Sequence, residues 1–367
     1  MTCVLQTVAA IITMQGEAVN ILKLLILFEI KETFVVFVAA LGSLMKRLTF
    51  LLLLHLILSP SFTFAFEPVN PECLAPAKQG GGIYLTCHLA TKSLLAANLL
   101  DIPMTINFKP GGIGAVAYNY VVGVRNDDSD MIVSASSGSV LNLAIKKFGS
   151  YNVDAVRWLG AIGADYGMIA VRAEAPWNNL DELVTALRHK QKVIIGGGGS
   201  IGSQDWMKIA LLMKKAAIDP KTIKYVAFEG GGEALSAFSA GYIDVFSGDV
   251  SEVHGLLEEK KIKVLAVLSP ERLPGEFISI PTATEQGYPV DWRIWRGFYM
   301  GPNVSEEAYN WWVNTFRRLI KTEEFESQRK AMGLYPFFLV GDEFDTYVKA
   351  SVHRYHQTAV DIGLINE

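Results

Sequence analysis

Between residues 72 and 147 the chain passes three times from a short apolar run, through a turn rich in glycine, proline or serine, into a longer stretch with helical spacing. The runs are 72–77, 104–108 and 131–134, and the helices they predict are 85–100, 115–124 and 136–147. Residues 156–163 and 167–171 are apolar and extended with no long helix between them, so the chain is expected to leave its first domain there. A second set follows: helix 180–190, strand 193–195, a helix to 215, strand 224–228, helix 232–240, strand 243–246, helix 251–258 and strand 263–267. Residues 295–300 are again apolar and extended, placed to cross back, and helices at 305–321, 323–332 and 342–362 finish the chain. Such alternation predicts an α/β fold with a mostly parallel sheet covered on both faces.

The densest signal is the stretch 192–215. An apolar β-branched run ends in Gly196, Gly197, Gly198 and Gly199, where a sharp turn is expected, and Ser200 or Ser203 can cap the helix that follows. A strand, a glycine loop and a helix N-terminus together can hold an anion. The loop also fits two short patterns. Gly197, Gly199 and Gly202 read as G-x-G-x-x-G, with Glu229 placed as a ribose-binding acid, which suggests an NAD-dependent dehydrogenase. Gly198, Ser200 and Gly202 read as G-x-S-x-G, a serine hydrolase elbow, for which Asp249 and His353 or His356 could complete a triad. A run of glycines satisfies several such patterns at once, so neither is specific. His353 and His356 stand three apart on a helix, but no third residue has metal-ligand spacing, and no metal is expected. Trp295, Trp311 and Trp312 read as packing residues, and Arg296 as a cation that could meet an anion.

Composition narrows the choice. Half of the 367 residues are hydrophobic, enough for one large or two ordinary cores. Met45, Lys46 and Arg47 open a basic segment, 50–58 is a short apolar core, and Thr63, Phe64 and Ala65 offer a cleavage site: the anatomy of a secretory signal peptide. Residues 1–44 then read as an upstream extension, with Met45 as the natural start. From Phe66 onward 29 basic residues face 34 acidic ones, a charge of −5, which gives no general footprint for nucleic acid. Export also argues against a nicotinamide cofactor. Of three cysteines only Cys73 and Cys87 follow the signal; an exported even pair invites a disulfide, the alternative being two packed thiols.

Glycine loops at Gly80, Gly81 and Gly82 and at Ser200 to Ser203, one in each half, could clamp a molecule carrying a carboxylate at each end without any arginine. Here the chain resembles the substrate-binding proteins of tripartite tricarboxylate transporters, the Bug-type receptors, in 72–90, 109–120, 196–206, 243–253 and 295–302, the second and last stretches being similar to the tricarboxylate-binding branch. The resemblance implies a type II periplasmic-binding-protein fold, with two α/β domains joined by two crossing strands and a ligand cleft between them. Domain 1 would comprise 66–168 and 297–367, domain 2 169–296. It implies a periplasmic, monomeric receptor without cofactor or catalysis, which hands a citrate-like di- or tricarboxylate to membrane permease subunits. The ligand-binding residues carried over are Gly80, Gly81, Gly82, Ser136, Ser137, Gly138, Ser200, Ile201, Gly202, Ser203, Gly248 and Asp249, with Ser139 beside them. Where the family carries an aromatic or small residue and then Asp after the first loop, this chain has Ile83 and Tyr84.

Overall fold

In the computed structural model, residues 66–366 are described without a break; before them the described residues are 37–50, in one exposed helix, and scattered earlier positions. Met45, Lys46 and Arg47 fall on that helix, while the rest of the expected signal, 51–65, lies outside the described residues. No helix among the described residues is long and apolar enough to cross a membrane. Residues Ala65–Glu367 form one compact unit.

That unit is built on a strand longer than the sequence pattern suggests. β4 (Arg157–Arg172) runs for 16 residues through both extended stretches. Its first part pairs antiparallel with β9 (Arg293–Met300) and, at Gly160 and Ala161, with β10 (Leu339–Val340). From Gly167 its partners are β7 (Val245–Asp249) and β8 (Ile262–Leu268), again antiparallel. β9 leads to β3 (Met131–Ser136), β1 (Glu72–Ala75) and β2 (Thr105–Phe108); β7 leads to β5 (Ile194–Gly198) and β6 (Lys224–Phe228). Only the outer strands are parallel, so the expected mostly parallel sheet is corrected to a mixed one. The two extended runs expected at 156–163 and 167–171 are one strand, and between them Asp165 is buried with its carboxylate satisfied by Arg296 and the Ser251 hydroxyl.

Period-two alternation sorts side chains onto the two faces of each sheet. Cys73 and Ala75 of β1 face α1 (Gly82–Ala96) and α8 (Glu306–Leu319), where Leu89, Trp312 and Phe316 are buried. Leu74 faces the opposite core with Tyr118 of α2 (Ala115–Gly123), Val140 of α3 (Ser137–Ala144), Trp158, Trp295 and Phe344 of α10 (Asp342–Asp361). In the second sheet Ile169 and Val171 meet α4 (Leu180–Arg188) and α5 (Gln204–Lys215), while Met168 and Ala170 meet Phe238 of α6 (Gly231–Ser239) and Val253, ahead of α7 (His254–Glu258). α9 (Glu323–Ala331) packs against α1. Trp295 and Trp312 are buried packing residues. A disulfide joins Cys73 to Cys87 and so ties β1 to α1 around the loop between them.

One local expectation changes with consequence. Gly196, Gly197 and Gly198 do not turn; they are the end of β5, paired with Val226, Ala227 and Phe228. A Cβ at Gly197 would lie 2.6 Å from the Ser247 carbonyl oxygen and 2.7 Å from Asp205 Cβ, so glycine lets β5, β7 and α5 approach. The turn comes later, at Gly199 and Gly202, both with positive φ.

Candidate functional site

Five of the ten α-helices described in the compact unit close their first turn with a side chain. Ser136 and Ser139 form a reciprocal capping box on α3, and Ser203, Asn179, Ser305 and Thr322 cap α5, α4, α8 and α9. α1 and α6 differ. Their N-caps are Gly81 and Gly230, neither has a side-chain cap, and α1 has no acid in its first turn. The two ends face each other: a Cβ on Gly232 would lie 3.1 Å from the Gly80 carbonyl carbon and 3.4 Å from Gly81 N. Two uncapped helix ends therefore present backbone N–H groups and positive dipole potential to one small space.

Pro76, Gln79, Gly81, Gly82, Ile83, Gly114, Ser136, Gly138, Ser139 and Asn142 line that cleft from the first sheet's elements. Gly198, Gln204, Asp205, Glu229, the glycines 230–232, Glu233, Asp249 and Glu252 line it from the second, with Arg296 at the base. Arg296 is 1 % exposed; its Nη2 lies 3.1 Å from Asp165 and 2.5 Å from Asp249. Lys208, fully buried, reaches Asp249 at 2.5 Å and Asp205 at 2.7 Å and donates to the Gly248 carbonyl. Burial works against the Asp249 carboxylate, but Lys208 and Arg296 hold its pKa below the usual carboxylate range. Asp205 and Asp165 are pushed up by burial and by Asp249. Half-buried Glu252 is pushed up to about 8, by withdrawal from water and then by Asp249 and Asp205. At the rim Lys78 lies 2.5 Å from Glu233 and bridges the two sides.

Of the residues expected from the sequence, Gly81, Gly82, Ser136, Gly138, Ser139 and Asp249 line this cleft. Gly80 adjoins it through Gly232, Ser137 is buried in the first turn of α3, and Gly248 supplies the carbonyl that Lys208 holds. Ser200, Ile201, Gly202 and Ser203 do not line it. Ser200 and Ile201 are exposed, and the Ser200 hydroxyl and Ile201 carbonyl accept from Lys147. Gly202 packs toward Leu364, and Ser203 spends its hydroxyl on the Trp206 N–H. Nor is a triad assembled: Asp249 is engaged with two cations, and His353 is exposed on α10. Glycines 230–232 and Glu252 went unread as site residues. The signal was present, since E-G-G-G-E follows strand 224–228 at once, whereas four residues separate β1 from the first glycine loop.

A family model described as the tripartite tricarboxylate transporter family receptor matches residues 92–364. A UPF0065 protein of Bordetella pertussis is 21 % identical over 325 residues, covering 88 % of this chain and 98 % of that protein. MatC of Rhodopseudomonas palustris, solved with bound malate, superposes with a TM-score of 0.69 at 20 % identity, over 80 % of this chain and 99 % of its own. Rpa4515 of R. palustris, solved with adipate, gives 0.72 at 18 % identity, over 80 % and 97 %.

Proposed function

The chain belongs to the tripartite tricarboxylate transporter family of receptors, and from that premise we propose that it captures a small di- or tricarboxylate, citrate-like in charge, between the facing ends of α1 and α6. The observation that carries this reading is the pair of uncapped helix N-termini in one cleft. Each can donate backbone N–H groups to a carboxylate; neither has an N-cap side chain on them, and the Gly82 N–H meets the Glu252 carboxyl across the cleft at 3.4 Å. Two arranged face to face match an anion that both must hold.

The remaining parts of the reading follow from the family. Ser136, Ser137, Gly138, Gly248 and Asp249 complete the seat. Residues 66–168 with 297–367 form one lobe and 169–296 the other, hinged on β4 and β9. The receptor is exported to the periplasm as a monomer and delivers its ligand to permease subunits in the membrane. Malate and adipate, the ligands held by two fold relatives, are the first probes to try beside citrate.

A thermal-shift panel tests the reading. A carboxylate at about a hundred times its dissociation constant should add roughly 2.7 kcal/mol, raising Tm by about 5 °C for a unit of this size. NAD should give no shift. The proposal fails if no carboxylate shifts Tm, or if the protein turns over ester substrates.

A further inference from the structure

The charged groups around the seat do not balance. β4 contributes Asp165, α5 Asp205 and Lys208, the end of β7 Asp249, the turn after it Glu252, and β9 Arg296. Four inner carboxyls thus face two cations, and both cations are committed, Lys208 to Asp205 and Asp249, Arg296 to Asp165 and Asp249. Farther out, Glu229 and Glu233 line the same cleft and Lys78 is paired with Glu233. Among the described residues Glu252 is the inner carboxyl with no cation within ion-pair distance. Its oxygens instead accept from the N–H groups of Gly82, at 3.4 Å, and Asp249, at 3.1 Å. A Cβ on Gly231 would collide with Glu252 Oε1, and one on Gly81 would sit 3.8 Å from it. The Glu252 carboxyl therefore lies against both glycine loops, on the backbone where a ligand's carboxylate is to be seated.

We propose that Glu252 meets the ligand as a neutral acid, donating its O–H to a carboxylate held by the helix ends of α1 and α6, so that capture of a fully ionised carboxylate is tied to one proton. This rests on the carboxylate reading above. Two anions sharing these N–H groups would repel at close range, whereas one proton between them makes a short, charge-assisted O–H···O⁻ hydrogen bond. The surroundings already favour that proton in the free protein. Burial, Asp249 and Asp205 hold Glu252 at a pKa of about 8, against the opposing pull of Arg296 and Lys208. A ligand carboxylate adds negative charge beside it and strengthens the preference. Arg296 belongs to the same surroundings: it lines the cleft, is almost fully buried, and its Nε has no hydrogen-bond partner.

The sign of the linkage follows. Below about pH 7 Glu252 carries its proton with or without ligand, so affinity is flat. Above about pH 8 the free protein has lost the proton and each bound ligand must restore it, so Kd rises up to about tenfold per pH unit. Protein expressed from the full chain is titrated calorimetrically with malate, adipate and citrate between about pH 7 and pH 10, in buffers of different ionisation enthalpy. Proton uptake approaching one per ligand at the alkaline end, with the matching loss of affinity, is the expected result. Glu252→Gln keeps a donor of the same shape that cannot ionise, and should bind with a Kd independent of pH over that range. Uptake is measured on the unsubstituted protein, so it stands even if the variant fails to fold. Binding without proton uptake and with unchanging Kd overturns the role of Glu252 and leaves the carboxylate reading intact; no carboxylate bound at any pH removes both.

Discussion

Two glycine runs in this protein look alike on paper and do opposite work. Glycines 196–199 and 230–232 both follow an apolar β-branched or aromatic run and both precede a helix. In the first, Gly196, Gly197 and Gly198 belong to β5 and only Gly199 turns, and what matters is the volume they leave empty: β5 lies close to β7 and to the start of α5 because no side chain stands between them. In the second, the glycines are the helix end itself, and what matters is the backbone they leave uncovered. The loop at 80–82 is of the second kind, with a covalent brace added, since the Cys73–Cys87 disulfide ties the strand before it to the helix after it. A glycine run is therefore a sign of close approach or of open donors, and which of the two depends on whether the next residues cap the helix.

The largest effect that separates the two runs is on folding. Gly197→Ala places a methyl group 2.6 Å from the Ser247 carbonyl oxygen, a backbone atom that cannot swing aside. Overpacking of this kind costs about 3 kcal/mol, which corresponds to a fall in Tm of roughly 5–10 °C. Scanning calorimetry without ligand reads this directly. A Tm within a degree of the parent protein would show that β5 and β7 are not held at this distance.

Gly231→Ala should behave in the opposite way. Its methyl group would meet Glu252 Oε1, the far end of a side chain that can move, and alanine is the better helix former, so Tm should stay within about 2 °C. Ligand binding should suffer, because the displaced carboxyl is pushed into the seat. An affinity loss of tenfold or more, about 1.4 kcal/mol, is expected for whichever carboxylate binds the parent protein. Equal affinity in a titration of the variant would remove the α6 end from the site.

How much of this was legible in the sequence follows from the same contrast. Amphipathic and alternating spacing located nearly every helix and strand, because burial on one face writes a period into the chain. The first glycine loop was readable because a strand ends cleanly before it. The continuity of β4 was not, because Asp165 and Tyr166 look like a break until Arg296, 131 residues away, is seen beside them. Glu252 was hidden for a related reason. A glutamate at the start of the expected helix 251–258 looks solvated, and only the fold shows it among Asp205, Asp249 and the glycine loops. Long-range charge partners leave no period to read.

The smallest expected effect tests the edge of the first run, where the sequence placed most weight. Ser200 and Ser203 are both serines just ahead of α5, three residues apart, yet only Ser203 is buried and only its hydroxyl accepts from the helix, at Trp206 N. Loss of such a cap costs about 1 kcal/mol, so Ser203→Ala should lower Tm by roughly 2–4 °C. Ser200 is exposed, and its hydroxyl meets only the Lys147 ammonium, which the Ile201 carbonyl also holds. A surface contact of that kind is worth within about 0.5 kcal/mol, so Ser200→Ala should leave Tm nearly unchanged. The affinity comparison matters more, because the seat described here lies between α1 and α6 and Ser200 does not line it. Ser200→Ala should bind malate, adipate or citrate within about twofold of the parent protein, a difference of less than about half a kcal/mol. A tenfold loss would mean that residues 200–203 reach the ligand after all, through a closure that brings the start of α5 inward, and the pairing of glycine loops would have to be redrawn around β5.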